Sequence, residues 1–240
     1  MEELDKIYKE FGDGPLDYMY FQFNMDIIRE YLEGKEILEM STNIYSTLEL
    51  ARLGKEVLTI DGSVNKINDL VKVILSRNVT NVMCVAAYFE EWFKSPFKRY
   101  DEVVLFRALE HVDDPVEVLS LIKNSMKADG HVNISVPNAN SLHRRLGVKL
   151  GMLPYTEMLS DADLTKGHKR VYTVETLVRD VKQAGLEIEF VKGSFLKIGN
   201  DAEMKRNTTF YHPKMFKGIF DLSQDLDPDL GAELIVRARV

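Results

Sequence analysis

The chain has 240 residues, with 31 basic and 38 acidic side chains and a formal net charge of −7. This length suits one domain with a full hydrophobic core, and the acidic excess argues against a general nucleic-acid binder. The single cysteine, Cys84, excludes an intrachain disulfide framework and favours a reducing, cytoplasmic setting. No apolar run approaches the roughly 20 residues of a membrane span, and the charged N-terminus is unlike a signal peptide. We therefore expect neither a nucleic-acid nor a membrane partner.

Apolar residues recur with helical and strand periods in alternation along the chain. Helices are predicted at residues 22–33, 46–53, 64–77, 114–127 and 173–184. Strands are predicted at residues 36–40, 56–60, 81–86, 101–106, 131–136, 186–191 and 233–239. This order predicts an α/β fold with a seven-stranded, mostly parallel sheet and helices on both faces. No crossover helix is evident between the final two strands, so the last strand is expected to be antiparallel.

Ligands of such sheets bind beyond the carboxyl ends of the strands, so the residues that directly follow each strand are the first candidates for a site. Two stretches, at about residues 138–170 and 195–230, do not fit the strand–helix rhythm. We interpret residues 1–240 as a single domain in which these two insertions cover the ligand end.

Five segments carry a family resemblance: Leu109–Val112, Asp114–Pro115, Lys127–Gly130, Val136–Asn138 and Gly167–Thr173. Their order resembles the class I S-adenosylmethionine (SAM)-dependent methyltransferases, in particular the small-molecule branch that includes ubiquinone and nucleotide-sugar methyltransferases. The resemblance covers about residues 22–195. It implies a Rossmann-like methyltransferase domain, SAM as cofactor, and O- or N-methylation of a small metabolite such as a sugar or polysaccharide precursor.

The loop after the first strand departs from that family, in which an acidic residue is followed by a glycine-rich turn. Here Glu39 is followed by Ser41 and Asn43, and no glycine lies between Gly34 and Gly54. Asparagine tolerates the left-handed conformation, so Asn43 is predicted to replace the central glycine. If the loop takes a different path, the alternative is a catalytically inactive, methyltransferase-like binding or regulatory protein.

Other residues after the strands are predicted to hold the cofactor, together with Glu39, Ser41 and Asn43. Asp61, followed by Gly62, is placed to accept hydrogen bonds from ribose hydroxyls, although a helix-capping role is the alternative. Tyr88 and Phe89 could flank the adenine or simply pack in the core. Arg107 is predicted to bind the cofactor carboxylate or an anionic substrate, unless it is an ordinary surface arginine.

Two histidines are predicted to be catalytic, because a neutral imidazole is the natural base for an acceptor hydroxyl or amine. His111 follows the fourth strand, and His168 lies in a basic cluster of the first insertion. A purely structural role for either histidine stays open.

The first insertion is a basic stretch on an acidic protein, which favours a small, anionic, phosphorylated or nucleotide-linked substrate; an ordinary solvated face or an oligomer contact is the alternative. The predicted substrate-binding residues are Tyr20, His143, Arg144, Arg170 and Tyr172. No metal site is predicted, since no group of ligating residues has a convincing spacing along the chain. A homodimer is compatible with the sequence, which does not fix the oligomeric state.

Overall fold

Strands and helices alternate along the described part of the chain. The computed structural model describes residues 15–94, 98–199, 201–206 and 212–240, and for residues 15–18, 201, 202, 205 and 213 it describes the backbone alone. The strands are β1 (Glu36–Met40), β2 (Glu56–Asp61), β3 (Val82–Ala86), β4 (Tyr100–Phe106), β5 (Met126–Pro137), β6 (Glu187–Ser194) and β7 (Glu233–Arg239). The helices are α1 (Pro15–Ile28), α2 (Ile44–Leu53), α3 (Val64–Ser76), α4 (Phe89–Trp92), α5 (Pro115–Asn124), α6 (Leu142–Lys149), α7 (Asp161–Thr165), α8 (Val174–Gln183), α9 (Asp201–Arg206) and α10 (Pro213–Asp225).

The seven strands form one sheet in the order β3-β2-β1-β4-β5-β7-β6. Neighbours among β1–β5 are parallel, while β7 runs antiparallel to both β5 and β6. The predicted mostly parallel sheet with an antiparallel last strand is therefore confirmed. Its carboxyl edge collects the residues that follow β1, β2, β4 and β5, together with the start of β7.

Both faces of the sheet are covered, because successive side chains of a strand point to opposite faces. In β4, Val103 and Leu105 contribute to one core cluster, whereas Val104 and Phe106 contribute to the other. Helices α5 and α8 pack in the first cluster, and α1 and α2 pack in the second. The central strands are thus held between two apolar layers, which fixes the positions of their carboxyl ends.

The junction between α5 and β5 differs from the prediction. The helix ends at Asn124 instead of residue 127, and β5 begins at Met126 instead of residue 131. Met126 is buried, and Lys127 forms ion pairs with Glu36 and Asp101 at 2.9 and 2.8 Å. These long-range contacts hold Met126 and Lys127 in the strand, whereas the sequence pattern placed them at the end of the helix and placed residues 127–130 in a turn.

The first helix also differs from its prediction, since α1 begins at Pro15 and ends at Ile28, before a 3-10 turn at Arg29–Tyr31. Tyr20, one of the predicted substrate-binding residues, is buried in this helix. No helix within the described ranges is long and apolar enough to cross a membrane.

Candidate functional site

The glycine-free loop after β1 keeps a left-handed residue, but not at the position predicted. Ser41 has φ 74°, and its N–H donates to Ile60 O at 2.9 Å. Asn43 is extended, with φ −134°, and caps α2 by accepting the N–H groups of Tyr45 and Ser46. The expectation of a left-handed Asn43 is therefore wrong, because its carboxamide is used to begin the helix. Ser41 is the residue that adopts the left-handed conformation in this loop.

Glu39 joins the end of β1 to the first turn of α2. Its carboxylate is buried and accepts hydrogen bonds from the hydroxyls of Ser46 and Thr47. Burial raises the pKa of Glu39 to about 7, although these hydroxyls and that of Thr59 oppose the rise. Glu39 therefore connects β1 to α2 on both sides of the loop, and these hydrogen bonds help to position Ser41.

The raised pKa of Glu39 predicts a specific pH dependence of stability. The folded protein holds the proton on this carboxyl up to about pH 7, whereas the ordinary value for a glutamate is 4.5. The stabilisation that comes from protonated Glu39 is therefore fully present below pH 4.5 and is lost as the pH rises to about 7. We expect Glu39→Gln to reduce the decline in unfolding free energy across this window, measured by urea denaturation at a series of pH values.

Glu36→Gln, on the same strand, is the matched control. Hydrogen bonding to Lys127 lowers the pKa of Glu36, so its contribution changes only below pH 4.5. A Glu39→Gln variant whose stability falls with pH as steeply as that of the parent protein would contradict the prediction.

Asp61 closes the end of β2 against the same loop. It is 3 % exposed, and its carboxylate oxygens accept the N–H groups of Thr42 at 2.9 Å and Ser63 at 2.7 Å. These two contacts fix the orientation of the carboxylate. The loop after β1 and the end of β2 are thereby connected at the edge where the cofactor was predicted.

The remaining predicted cofactor residues lie along this edge. Gly62 sits between Asp61 and the α3 cap, Ser63. Tyr88 caps the short helix α4 and is 39 % exposed, and Phe89 begins that helix and packs against the core. The Ala87 N–H donates to Asp61 O at 3.0 Å, so the aromatic pair directly follows a backbone contact with the predicted ribose-binding residue.

A cavity of about 90 Å³ lies beyond the ends of β4 and β5, on the other side of β1 from Asp61. Its lining residues are Tyr20, Arg107, Pro137, Asn138, His143, Arg144, Asp163, Lys166, His168, Lys197, Ala232 and Glu233. Four of these side chains are arginines or lysines and two are histidines, against two acids. The structure thus brings Tyr20, Arg107, His143, Arg144 and His168 together around one basic cavity.

Arg107 has the second left-handed backbone at this edge, with φ 51°. Its Nε lies 3.3 Å from Glu233 Oε1, and its guanidinium lies over the Tyr20 ring at 5.8 Å. Glu233 also accepts a 2.6 Å hydrogen bond from Asn24. Non-glycine residues in this conformation concentrate at functional sites, and both Ser41 and Arg107 occur where a central strand leaves the sheet.

His168 is held by an acidic partner. It is buried, and its Nδ1 lies 3.1 Å from Asp163 Oδ1. Arg144 binds the other carboxylate oxygen of Asp163 at 3.1 Å and also donates to Thr156 O. Burial would raise the pKa of Asp163, but hydrogen bonds from His168, Ser160 and Arg144 lower it overall. Asp163 is therefore an anion that fixes the His168 ring.

His111 and Glu110 lie against His168. The two imidazole rings meet edge to face with centroids 4.9 Å apart, and His111 Nδ1 lies 3.2 Å from Gly167 O. Burial lowers the pKa of His111 to about 3, and burial raises the pKa of Glu110 to about 7. Glu110 is fully buried, and neither of its carboxylate oxygens has a hydrogen-bond partner among the described residues.

Two predicted substrate-binding residues lie elsewhere. Arg170 donates to Leu109 O at 3.2 Å and Val112 O at 2.6 Å, so it fastens the loop that carries His111. Tyr172 is buried beside it, and neither residue is among those that line the basic cavity. The structure therefore does not place Arg170 and Tyr172 against the cavity.

Sequence reasoning missed Asp163, Lys197 and Glu233. The pairing of Ser160 with Asp163 three residues later predicts a helix start, and an acid five residues before His168 could have suggested its partner. Lys197 and Glu233 have no such local pattern, because only the pairing of β7 with β5 and β6 brings them to the cavity.

The strand order, the antiparallel β7 and a site at the carboxyl edge of the sheet define the fold as that of the class I methyltransferases. A family model described as a methyltransferase domain matches residues 18–190. The chain therefore belongs to this methyltransferase family, as the sequence resemblance predicted. Among curated proteins, none matches the chain.

Solved structures share the fold at low sequence identity. The N-methyltransferase NodS from Bradyrhizobium japonicum WM9, in complex with S-adenosylhomocysteine (SAH), is 13 % identical with a TM-score of 0.59, covering 96 % of this chain and 90 % of NodS. A SAM-dependent methyltransferase from Aquifex aeolicus is 15 % identical with a TM-score of 0.62, covering 98 % and 97 %. The [4+2]-cyclase SpnF is 14 % identical with a TM-score of 0.59, covering 91 % and 80 %.

Proposed function

We propose that the protein is a SAM-dependent O- or N-methyltransferase that acts on a small anionic metabolite, with phosphorylated and nucleotide-linked sugars as the first substrate class. The observation that carries the proposal is the basic cavity beyond the ends of β4 and β5. Arginine and lysine side chains attract and bind phosphate groups. An acceptor held there would lie across β1 from the residues proposed for the cofactor.

The cofactor would be held by the loop after β1 and the end of β2. When bound, SAM supplies an electrophilic methyl group. The Asp61 carboxylate is preoriented by two backbone N–H groups, which suits it to accept hydrogen bonds from ribose hydroxyls. The sharp turn at Ser41, supported by Glu39, provides the close backbone approach that glycines give in related loops.

His111 and His168 are the proposed catalytic residues: His168 would receive the proton of the acceptor, and His111, whose pKa is lowered to about 3 by burial, would help to orient the acceptor group. His168 lines the cavity, and Asp163 at its Nδ1 leaves Nε2 as the nitrogen for the acceptor. Arg107 and the lysines Lys166 and Lys197 would bind the anionic part of the substrate.

The proposal extends to the whole chain. Residues 1–240 would form a single cytoplasmic domain in which the segments at about 138–170 and 195–230 cover the substrate. His143, Arg144 and Lys166 of the first segment, and Lys197 of the second, support this role because they line the cavity.

Ligand binding and turnover test the proposal separately. Calorimetry and thermal shift with SAM and SAH are expected to show binding and stabilisation; no heat and no stabilisation at millimolar ligand would overturn the methyltransferase assignment. Release of SAH is then followed with sugar nucleotides, sugar phosphates and the matching uncharged sugars. Turnover limited to the uncharged sugars would contradict the anionic substrate class.

Asp61→Ala is expected to weaken SAH binding about 10- to 100-fold, because hydrogen bonds to a charged group contribute about 1.5–3 kcal/mol. The affinity is measured by calorimetry. Thr42→Val is the matched control, since it removes the hydroxyl contact between Thr42 and Thr59 in the same loop and leaves the Asp61 carboxylate in place. Equal SAH affinity in Asp61→Ala and the parent protein would refute the ribose assignment.

A second candidate is a catalytically inactive, methyltransferase-like binding or regulatory protein. It is favoured by the composition of the loop after β1, because no glycine lies between Gly34 and Gly54. SpnF, which shares the fold and is a [4+2]-cyclase, illustrates that the fold alone does not define the chemistry. Binding of an anionic sugar without SAH binding or methyl transfer would support this candidate.

A further inference from the structure

Glu110 is a buried acid whose carboxylate accepts no side-chain hydrogen bond within the described part of the chain. It is fully buried, and both of its carboxylate oxygens lack a hydrogen bond among the described residues. Leaving buried polar groups unsatisfied costs free energy, and such groups in folded proteins often mark the place of an ion or water. The described residues therefore leave this carboxylate available to a ligand from outside the chain.

The neighbouring histidines are oriented as metal ligands are. His168 Nδ1 faces the Asp163 carboxylate at 3.1 Å, and His111 Nδ1 faces the carbonyl oxygen of Gly167 at 3.2 Å. A carboxylate and a carbonyl both accept hydrogen bonds, so each Nδ1 carries the proton and each Nε2 keeps its lone pair. Metal-binding histidines are held in this way by acceptors behind the ring.

We infer that Glu110, His111 and His168 bind a divalent transition-metal ion such as Zn²⁺. One ligand atom from each residue can be chosen so that all three lie within 4.8 Å of one another. Ligands of one tetrahedral ion, with bonds of about 2.1 Å, lie about 3.4 Å apart, so the ligand atoms need to approach one another by at most about 1.4 Å. Two imidazoles and one carboxylate are a ligand set that zinc enzymes use.

The metal site extends the proposed function. Binding of the ion does not depend on that proposal, whereas a role of the ion in turnover rests on it. His168 is shared between the ligand set and the basic cavity. Three protein ligands leave a coordination position open, which an acceptor oxygen in the cavity could occupy. Bound to the ion, an acceptor hydroxyl would ionise more readily and would release its proton to bulk water, so the histidines would act as ligands of the ion and not as the base.

The expectation that no metal site exists was based on spacing along the chain. Glu110 and His111 follow β4, whereas His168 belongs to the segment that precedes α8. Hydrogen bonds from Lys169 N to Glu110 O and from Arg170 to Val112 O bring the two segments together. Local spacing could not show this pairing.

Cobalt binding tests the inference without any need for a substrate. The purified full-length chain is stripped with a chelator and titrated with Co²⁺, and the visible absorption of the bound ion is followed, with Zn²⁺ as competitor. We expect one equivalent of Co²⁺ to bind and to be displaced by Zn²⁺. Glu110→Gln keeps the shape of the side chain and is expected to weaken binding at least tenfold, as is His111→Asn should Glu110→Gln fail to fold.

His143→Gln is the matched control, because His143 lines the same cavity but lies outside the ligand set, and its cobalt affinity is expected to equal that of the parent protein. Absence of a stoichiometric cobalt site, or equal affinity in the Glu110 and His111 variants, would overturn the inference. SAH binding is measured on the same stripped protein. SAH binding without a cobalt site refutes the metal site alone, and a cobalt site without SAH binding refutes the methyltransferase proposal alone.

Discussion

Arg237→Ala is expected to destabilise the protein by about 3–5 kcal/mol, because it leaves a buried carboxylate without its charge partner. The Arg237 side chain is 4 % exposed, and its two terminal nitrogens bind the Glu102 carboxylate at 2.8 and 2.9 Å. It also donates to Asn133 and Glu189 and lies 4.2 Å over the Tyr31 ring. The Glu102 side chain, 2 % exposed, would keep the amide of Asn133 at 2.8 Å and the more distant His131 Nδ1 at 3.7 Å, but no arginine or lysine.

Urea denaturation measures this effect against a control on the same strand. Arg239 pairs with Glu187 at 2.8 Å, but both side chains are at least half exposed, so Arg239→Ala is expected to cost less than about 1 kcal/mol. Replacing Arg237 by Met and Glu102 by Leu together should recover much of the stability, since no uncompensated charge then remains. Similar small losses for Arg237→Ala and Arg239→Ala would show that the buried network contributes little.

His168→Ala is expected to lower kcat/KM by about 10²- to 10⁴-fold, the range for removing a group that acts on the transferred proton. The expected loss is of similar size whether the imidazole receives the acceptor proton or binds an ion that activates the acceptor. Asp163→Asn is expected to reduce activity less, because the carboxamide still contacts the ring but no longer holds it with a negative charge. Initial rates of SAH release with the best acceptor measure both effects.

His212→Ala is the matched control for the histidine variants. His212 caps α10 through its Nδ1, and it is exposed and not among the residues that line the cavity. Unchanged SAH affinity in His168→Ala would show that its cofactor site is intact. Full activity in both His111→Ala and His168→Ala would remove the histidine pair from the mechanism.

Most of the sheet was predictable because its central strands are short apolar runs bounded by turns. The alternation of β1, β2 and β4 with helices fixed their order, and a residue directly after a strand had to lie at the carboxyl edge. Asp61, Arg107 and His111 were found in this way. The prediction failed where contacts between distant residues decide the conformation. At the start of β5, ion pairs of Lys127 with Glu36 and Asp101 hold the chain extended.

The conformation of the loop after β1 was harder to predict. Two polar residues, Ser41 and Asn43, could adopt the left-handed backbone, and which of them does so depends on the hydrogen bonds that each side chain makes. Asn43 tolerates a left-handed backbone, but its side chain begins α2, and Ser41 makes the turn. The same limit applies to His168, whose sequence neighbourhood shows a basic cluster but not the Asp163 contact that aims the ring.

The buried charge network has a consequence for the order in which the chain folds. Glu102 and Arg237 are separated by 135 positions, and β7 inserts between β5 and β6. Until β7 docks, Glu102 lacks its cation and β5 and β6 lack the strand that joins them. Contacts over such long loops are slow to form. We therefore expect β1–β5 to assemble early as an incomplete sheet with an open edge at β5, and insertion of β7 to be the late step that makes folding cooperative.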